Sequence, residues 1–203
     1  MEKDNNRTEL LRKIKDEVLN LKESPLYAER VKNKVFPVIG EGSHHADIMF
    51  IGEAPGRNEA ATGRPFVGSA GKFLDELLSA NGIPRDSVYI TNIVKDRPPM
   101  NRDPLPDEIK IYGLFLDRQI DIIQPKVIAT LGRFSMQYIM SKLGLGTMLE
   151  PISKMHGKVL DAKTSYGEVK IVPLYHPAAA IYNQNLKKDL HQDFQVLKKF
   201  IKK

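Results

Sequence analysis

Four side chains in this 203-residue sequence combine types and positions that suit chemistry: Glu53 in "GEAPG", Phe66 in "GRPFVG", Asn92 in "ITNIV" and His176 in "YHPAA". A carboxylate can orient or deprotonate water, and an aromatic face can stack on a flat ring. An amide carries both a donor and an acceptor, so Asn92 can match a pyrimidine edge that also offers both. An imidazole fixed by Pro177 can donate to an oxygen on which negative charge develops. Together they describe a pocket for a planar, uncharged, hydrogen-bonding ligand. Taken singly, each also has a plainer reading: Glu53 as a solvated turn acid, Phe66 as a core residue, Asn92 as a turn residue and His176 as a structural or surface histidine.

The glycines around Glu53 first suggest a phosphate cradle, but the chemistry opposes it. Gly52-x-x-x-Gly56 contains Pro55, which has no N–H to donate, and Glu53 would face a phosphate with like charge. Gly63 to Gly68 has the glycine spacing of a P-loop but continues as Ser69-Ala70 rather than Lys and a hydroxyl residue.

The elements that must position the four side chains follow from periodicity. Four short, β-branched-rich runs, "ADIMFIG" (46–52), "SVYITNIV" (87–94), "KVIATLG" (126–132) and "EVKIVPLYH" (168–176), read as buried strands. Helical patterns separate them: "GSAGKFLDELLSANG" with Ser69 as N-cap and Gly82 as stop, "PDEIKIYGLFLDRQIDIIQP" and "RFSMQYIMSKLG". The expected fold is α/β, with a central, mostly parallel four-stranded sheet flanked by helices on both faces. One domain over residues 1–203 is expected, with an amphipathic N-terminal helix at about 5–22, a core at about 40–180 and a basic C-terminal helix at about 186–202. In such sheets ligands bind beyond the carboxyl ends of the strands, which is where Glu53, Asn92, Gly132 and His176 fall.

Composition narrows the class. The chain contains no cysteine, which excludes disulfides, thiolate nucleophiles and thiolate-held metal centres. Its formal net charge of +6 suits a polyanionic partner. A polar N-terminus, with no apolar run near the roughly 20 residues that span a bilayer, reads as a soluble, cytoplasmic protein.

Several segments, in order, resemble the uracil-DNA glycosylase superfamily, most of all its family 4 branch: "GEAPG", "GRPFVGSAGKFLDELL", "GIPRDSVYITNIVK", "RPPMNRDPLPDEI", "KVIATLG" and "HPAA". The resemblance runs from about Gly40 to Pro177. It implies a monofunctional enzyme, expected to act as a monomer, that extrudes deoxyuridine from single- or double-stranded DNA and hydrolyses its N-glycosidic bond. By that similarity Phe66 stacks on uracil, Asn92 reads its Watson–Crick edge and His176 stabilises the departing anion. Gly52, Glu53 and Ala54 line the pocket, and Glu59 lies near C5 of the base. Either Glu53 orients the water, or leaving-group stabilisation carries most of the rate. DNA contacts are expected from Lys95, Arg97 and Arg102, with a solvated basic face as the alternative, and from the helix start at Ser69. Ala179, Ala180 and Ile181 are candidates for an apolar insertion into the duplex.

The sequence departs from the family at its cofactor. Members hold a four-iron four-sulfur cluster through four cysteines, whose positions correspond here to Asp96 and Tyr112 and, in a looser alignment, to Leu21 and Ser24. No such cluster can form, so no cofactor and no metal is expected, and Asp96 and Tyr112 are expected to replace the metal cross-link with polar or packing contacts. Ala60 replaces a common acid, and His156 stands where an arginine is usual, which raises a histidine that traps the sugar covalently as a minor alternative. A non-catalytic protein binding uracil-containing or abasic DNA is the competing class.

Overall fold

The computed structural model describes residues 2–181 and 183–200. Its elements are α1 (Glu2–Leu19), α2 (Tyr27–Asn33), β1 (Glu41–Gly42), β2 (Ile48–Gly52), α3 (Arg57–Thr62), α4 (Ser69–Ala80), β3 (Tyr89–Asn92), α5 (Pro106–Ile123), β4 (Val127–Leu131) and α6 (Arg133–Lys142). They continue with α7 (Ile152–Met155), β5 (Leu160–Thr164), β6 (Gly167–Leu174), α8 (Pro177–Ala180) and α9 (Gln184–Phe194).

The strands form one sheet in the order β1-β3-β2-β4-β6-β5. The four expected strands are its parallel centre, β3-β2-β4-β6. The sheet is nevertheless six-stranded, because β1 and β5 add antiparallel edges. Alternate residues of the central strands serve opposite faces, which explains their unbroken apolar runs. Met49, Ile51, Ile128 and Ile171 pack with Ile14 and Val18 of α1, Leu116 and Ile120 of α5 and Ile139 of α6. Ile48, Phe50, Val127, Ala129, Val172 and Leu174 pack with Leu74, Leu77 and Leu78 of α4 and Leu190 and Phe194 of α9.

Several local expectations shift. The N-terminal helix stops at Leu19, and the short α2 follows it. Gly68, not Ser69, caps α4; Ser69 is the first helical residue and is exposed. The C-terminal helix is split into α9 and a 3-10 segment, Gln195–Phe200, and the last residues of the expected span, 201 and 202, lie outside the described residues. Among the described residues no helix is long and apolar enough to cross a membrane.

The chain leaves β2 for β3 on one side and returns to β4 on the other. Such a reversal of strand order opens a crevice at the carboxyl ends.

Candidate active site

A cavity of about 340 Å³ occupies that crevice. Its wall comes from three strand ends: Glu53 to Gly56, Glu59 and Phe66 after β2, Asn92 with Pro98, Asn101 and Arg102 after β3, and His176 and Ala178 after β6. The fourth strand end serves differently. Gly132 after β4 has φ 96°, and a Cβ there would stand 3.2 Å from His176 Cβ, so this turn backs the histidine rather than lining the cavity.

Phe66 owes its place to a pinned loop. Its backbone sits in the left-handed region at φ 51°, which an aromatic residue rarely adopts unheld. The Glu59 carboxylate accepts from the N–H groups of Val67 (2.9 Å) and Gly68 (2.8 Å), and Arg85 donates to the Pro65 carbonyl (2.8 Å). A side chain at Gly71 would collide with the Phe66 carbonyl, so that glycine lets α4 close on the loop.

Asn92 is buried at the end of β3, paired in register with Gly52 of β2. Its Oδ1 has no hydrogen-bond partner, although buried amide oxygens nearly always have one. Asn92 also lines the cavity, so a buried amide with an unused acceptor stands in its wall.

Behind Asn92 lies Lys95, fully buried. Its Nζ donates to Asn92 O (2.7 Å), Thr91 Oγ1 (2.8 Å) and Gln119 Oε1 (2.5 Å). Thr91 has its own proton committed to the Ile39 carbonyl at 2.6 Å, so three acceptors claim three ammonium protons. Burial pulls the Lys95 pKa down. The expectation that Lys95 grips DNA is therefore corrected: the side chain turns inward and holds the end of β3.

His176 stacks on Phe66 with ring centroids 5.7 Å apart. Its Nδ1 accepts the Ala178 N–H at 3.1 Å, which assigns the imidazole proton to Nε2. Burial lowers its pKa to about 4, against an opposing pull from Glu59, so the ring is neutral at pH 7 and still a donor. Glu53 is shifted the other way. Desolvation, with Asp103 nearby, raises its pKa to about 7, and Arg133 pulls against the rise. Two titratable groups displaced in opposite directions in one cavity fit an acid–base site.

The remaining expected residues divide. Ala54 lines the cavity, and Ser69 is exposed beside Ala70, which lines it as well. Arg97 Nε donates to Asn101 Oδ1 (2.6 Å), while Arg102 forms a two-pronged pair with buried Glu108 at 2.9 and 2.6 Å. Ala179 is exposed and Ile181 half-buried, but Ala180 is buried and cannot enter a duplex. His156 is not part of the cavity wall; its Nδ1 pairs with Asp193 at 2.8 Å. Sequence reasoning missed Arg30, Gln119 and Arg133, whose roles depend on partners distant in the chain.

The positions at which the family keeps cysteines do not suit an iron–sulfur cluster. Ser24 donates to Tyr112 OH (2.6 Å), Tyr112 donates to Asp96 Oδ2 (2.6 Å), and Arg30 donates to both Asp96 oxygens (3.0 and 3.1 Å). Arg30 also binds the carbonyls of Val18 and Leu19 at the end of α1. Hard oxygen donors that already satisfy one another, with a guanidinium among them, offer no thiolate to iron. Asp96 and Tyr112 instead tie the N-terminal helices to the loop that leads into the cavity.

The uracil DNA glycosylase superfamily model matches residues 39–198. The Type-4 uracil-DNA glycosylase of Sulfurisphaera tokodaii is 50% identical over 93% of this chain and 83% of its own length. The same-named proteins of Archaeoglobus fulgidus and Thermotoga maritima are 45% identical over 81% of each chain and 39% identical over 97% of each chain. A matched region that contains every wall of the cavity, together with relatives aligned over more than four-fifths of their lengths, places the chain in the uracil DNA glycosylase superfamily.

Proposed function

We propose that the cavity receives a uracil base extruded from DNA and that the protein hydrolyses its N-glycosidic bond, leaving an abasic site. The unpartnered Asn92 Oδ1 in a residue of the cavity wall supports this reading: uracil N3–H is a donor that such an acceptor can take. Extrusion costs a few kcal/mol, least where uracil is mispaired with guanine. Stacking on Phe66 offsets about 1–3 kcal/mol of that cost.

The bond between C1′ and N1 breaks with its electron pair moving onto uracil, where charge collects on O2. His176 donates Nε2–H to that oxygen without itself ionising. Water adds to C1′ of the oxocarbenium-like sugar, and its proton passes to the Glu53 carboxylate. Glu59, held by Val67 and Gly68, fixes the wall near C5, and Ala54 forms the floor. Ser69, Arg97, Arg102 and Ala179 face the DNA, and the protein acts as a monomer without a resident cofactor.

Labelled oligonucleotides carrying uracil in a single strand, opposite guanine or opposite adenine, followed by alkaline cleavage of abasic sites, test the proposal. Strand scission with release of free uracil is the expected outcome. Binding without scission would turn the account towards a non-catalytic DNA-binding protein.

A further inference from the structure

Among the described residues the most exposed large apolar side chain is Met100, at 94%, in the turn whose Pro98, Asn101 and Arg102 line the cavity. Its backbone is left-handed, at φ 54° and ψ 21°, and Asn101 follows at φ 56°. Asparagine tolerates that region, whereas methionine does not do so freely.

The exposure does not come from a loose loop. Pro98 and Pro99 stiffen the entry, and the Asn101 and Arg102 N–H groups return to Pro98 and Pro99 carbonyls, both at 3.1 Å. The Arg97–Asn101 bond and the Arg102–Glu108 pair clamp both ends. A rigid turn therefore holds an apolar side chain out in water on a disfavoured backbone, and none of the hydrophobic packing inside the protein includes it.

We propose that Met100 enters the base stack of duplex DNA beside the extruded nucleotide and holds the gap open. The inference rests on the reading of the cavity as a site for a base flipped from DNA. Pro98, Asn101 and Arg102 line the cavity on either side of Met100 in sequence, so an inserted tip would lie next to the vacated position. Arg97 provides positive charge at the base of the turn, suited to a flanking phosphate, while the charge of Arg102 is paired with Glu108. A long, unbranched thioether can fill the space between base faces, as apolar wedges do in other DNA-bending proteins. The loop after β6 presents its side chains less fully: Ala178 and Ala179 end in methyl groups, Ala180 is buried and Ile181 is half-buried.

Single-turnover excision from single-stranded, U·G and U·A oligonucleotides by the wild type, Met100→Gly and Met100→Leu tests the assignment. Glycine suits the left-handed backbone, so M100G is expected to fold at least as stably as the wild type. Its rate on the single strand should be unchanged, its rate on U·A should fall about tenfold, and U·G should fall less, because only a stacked duplex resists opening. M100L, which keeps an apolar tip, should retain the duplex rate. An unchanged ratio of duplex to single-strand rates in M100G, with single-strand activity intact, would overturn the wedge while leaving the glycosylase reading in place. A wild type that releases no uracil even from a single strand would overturn both.

Discussion

Gly52 and Asn92 face each other across the paired ends of β2 and β3, so close that a Cβ on Gly52 would collide with Asn92 Oδ1 and stand 2.8 Å from Phe66 Cζ. The glycine thus sets the spacing between the amide and the ring. In Gly52→Ala both must shift. Excision should fall about 100-fold, because a displacement near 1 Å at a reacting centre has that effect. The fold should survive with a loss of about 1–3 kcal/mol. Single-turnover kinetics beside denaturant unfolding separate the two effects.

The opposite shifts of Glu53 and His176 fix a pH profile. In the proposed reaction Glu53 takes the water's proton as a carboxylate, so activity should decline as pH falls through about 7. His176 is neutral above about 4 and contributes no limb between pH 5 and 9. Glu53→Gln should lower the rate about 100-fold and flatten the profile. Because folding raises the Glu53 pKa, ionisation weakens the folded state as pH rises from the ordinary carboxylate range through 7. E53Q should therefore gain more thermal stability at pH 8 than at pH 5, as melting curves at the two pH values would show.

Removing Arg30 leaves Asp96 buried without its cation. Arg30→Met should cost about 3–5 kcal/mol, and a double variant that also makes Asp96→Leu should recover part of it, the Val18 and Leu19 carbonyls and the Tyr112 hydroxyl still losing their partners. Denaturant unfolding of the two single variants and the double variant measures that coupling. Additive losses would show that the pair does not act as a unit.

Lys95→Met would orphan the Asn92 and Thr91 oxygens and Gln119 Oε1. A loss of stability of about 1–3 kcal/mol is expected. The rate of uracil excision should also fall, and Lys95→Arg should not restore it, because the pocket around Nζ is closed. Excision rates compared at equal folded fraction distinguish this from simple unfolding.

Much of the fold was legible because the central strands are buried on both faces and read as continuous β-branched runs. The edges were not. β1 has two residues, and β5, "LDAKT", buries only Ala162, so neither carries an apolar run. The strand-end residues were legible because the strands were. The inward turn of Lys95 was not: "KDRPP" reads as a basic loop, and Gln119, arriving from α5, joins Thr91 and Asn92 in capturing the amine. Likewise Arg30 and Asp96 lie 66 residues apart, and nothing local marks their pairing. Ala179 and Ala180 look alike in sequence, yet one turn of α8 exposes the first and buries the second.

The central claim is that Asn92 Oδ1 accepts a hydrogen bond from N3–H of a uracil base. Its most direct test is the single-turnover excision of uracil and of N3-methyluracil from otherwise identical single-stranded oligonucleotides. The account predicts that the methylated base is released at least ~100-fold more slowly, because a site built around a buried acceptor rejects an analogue that lacks the donor. Equal rates for the two bases would contradict it.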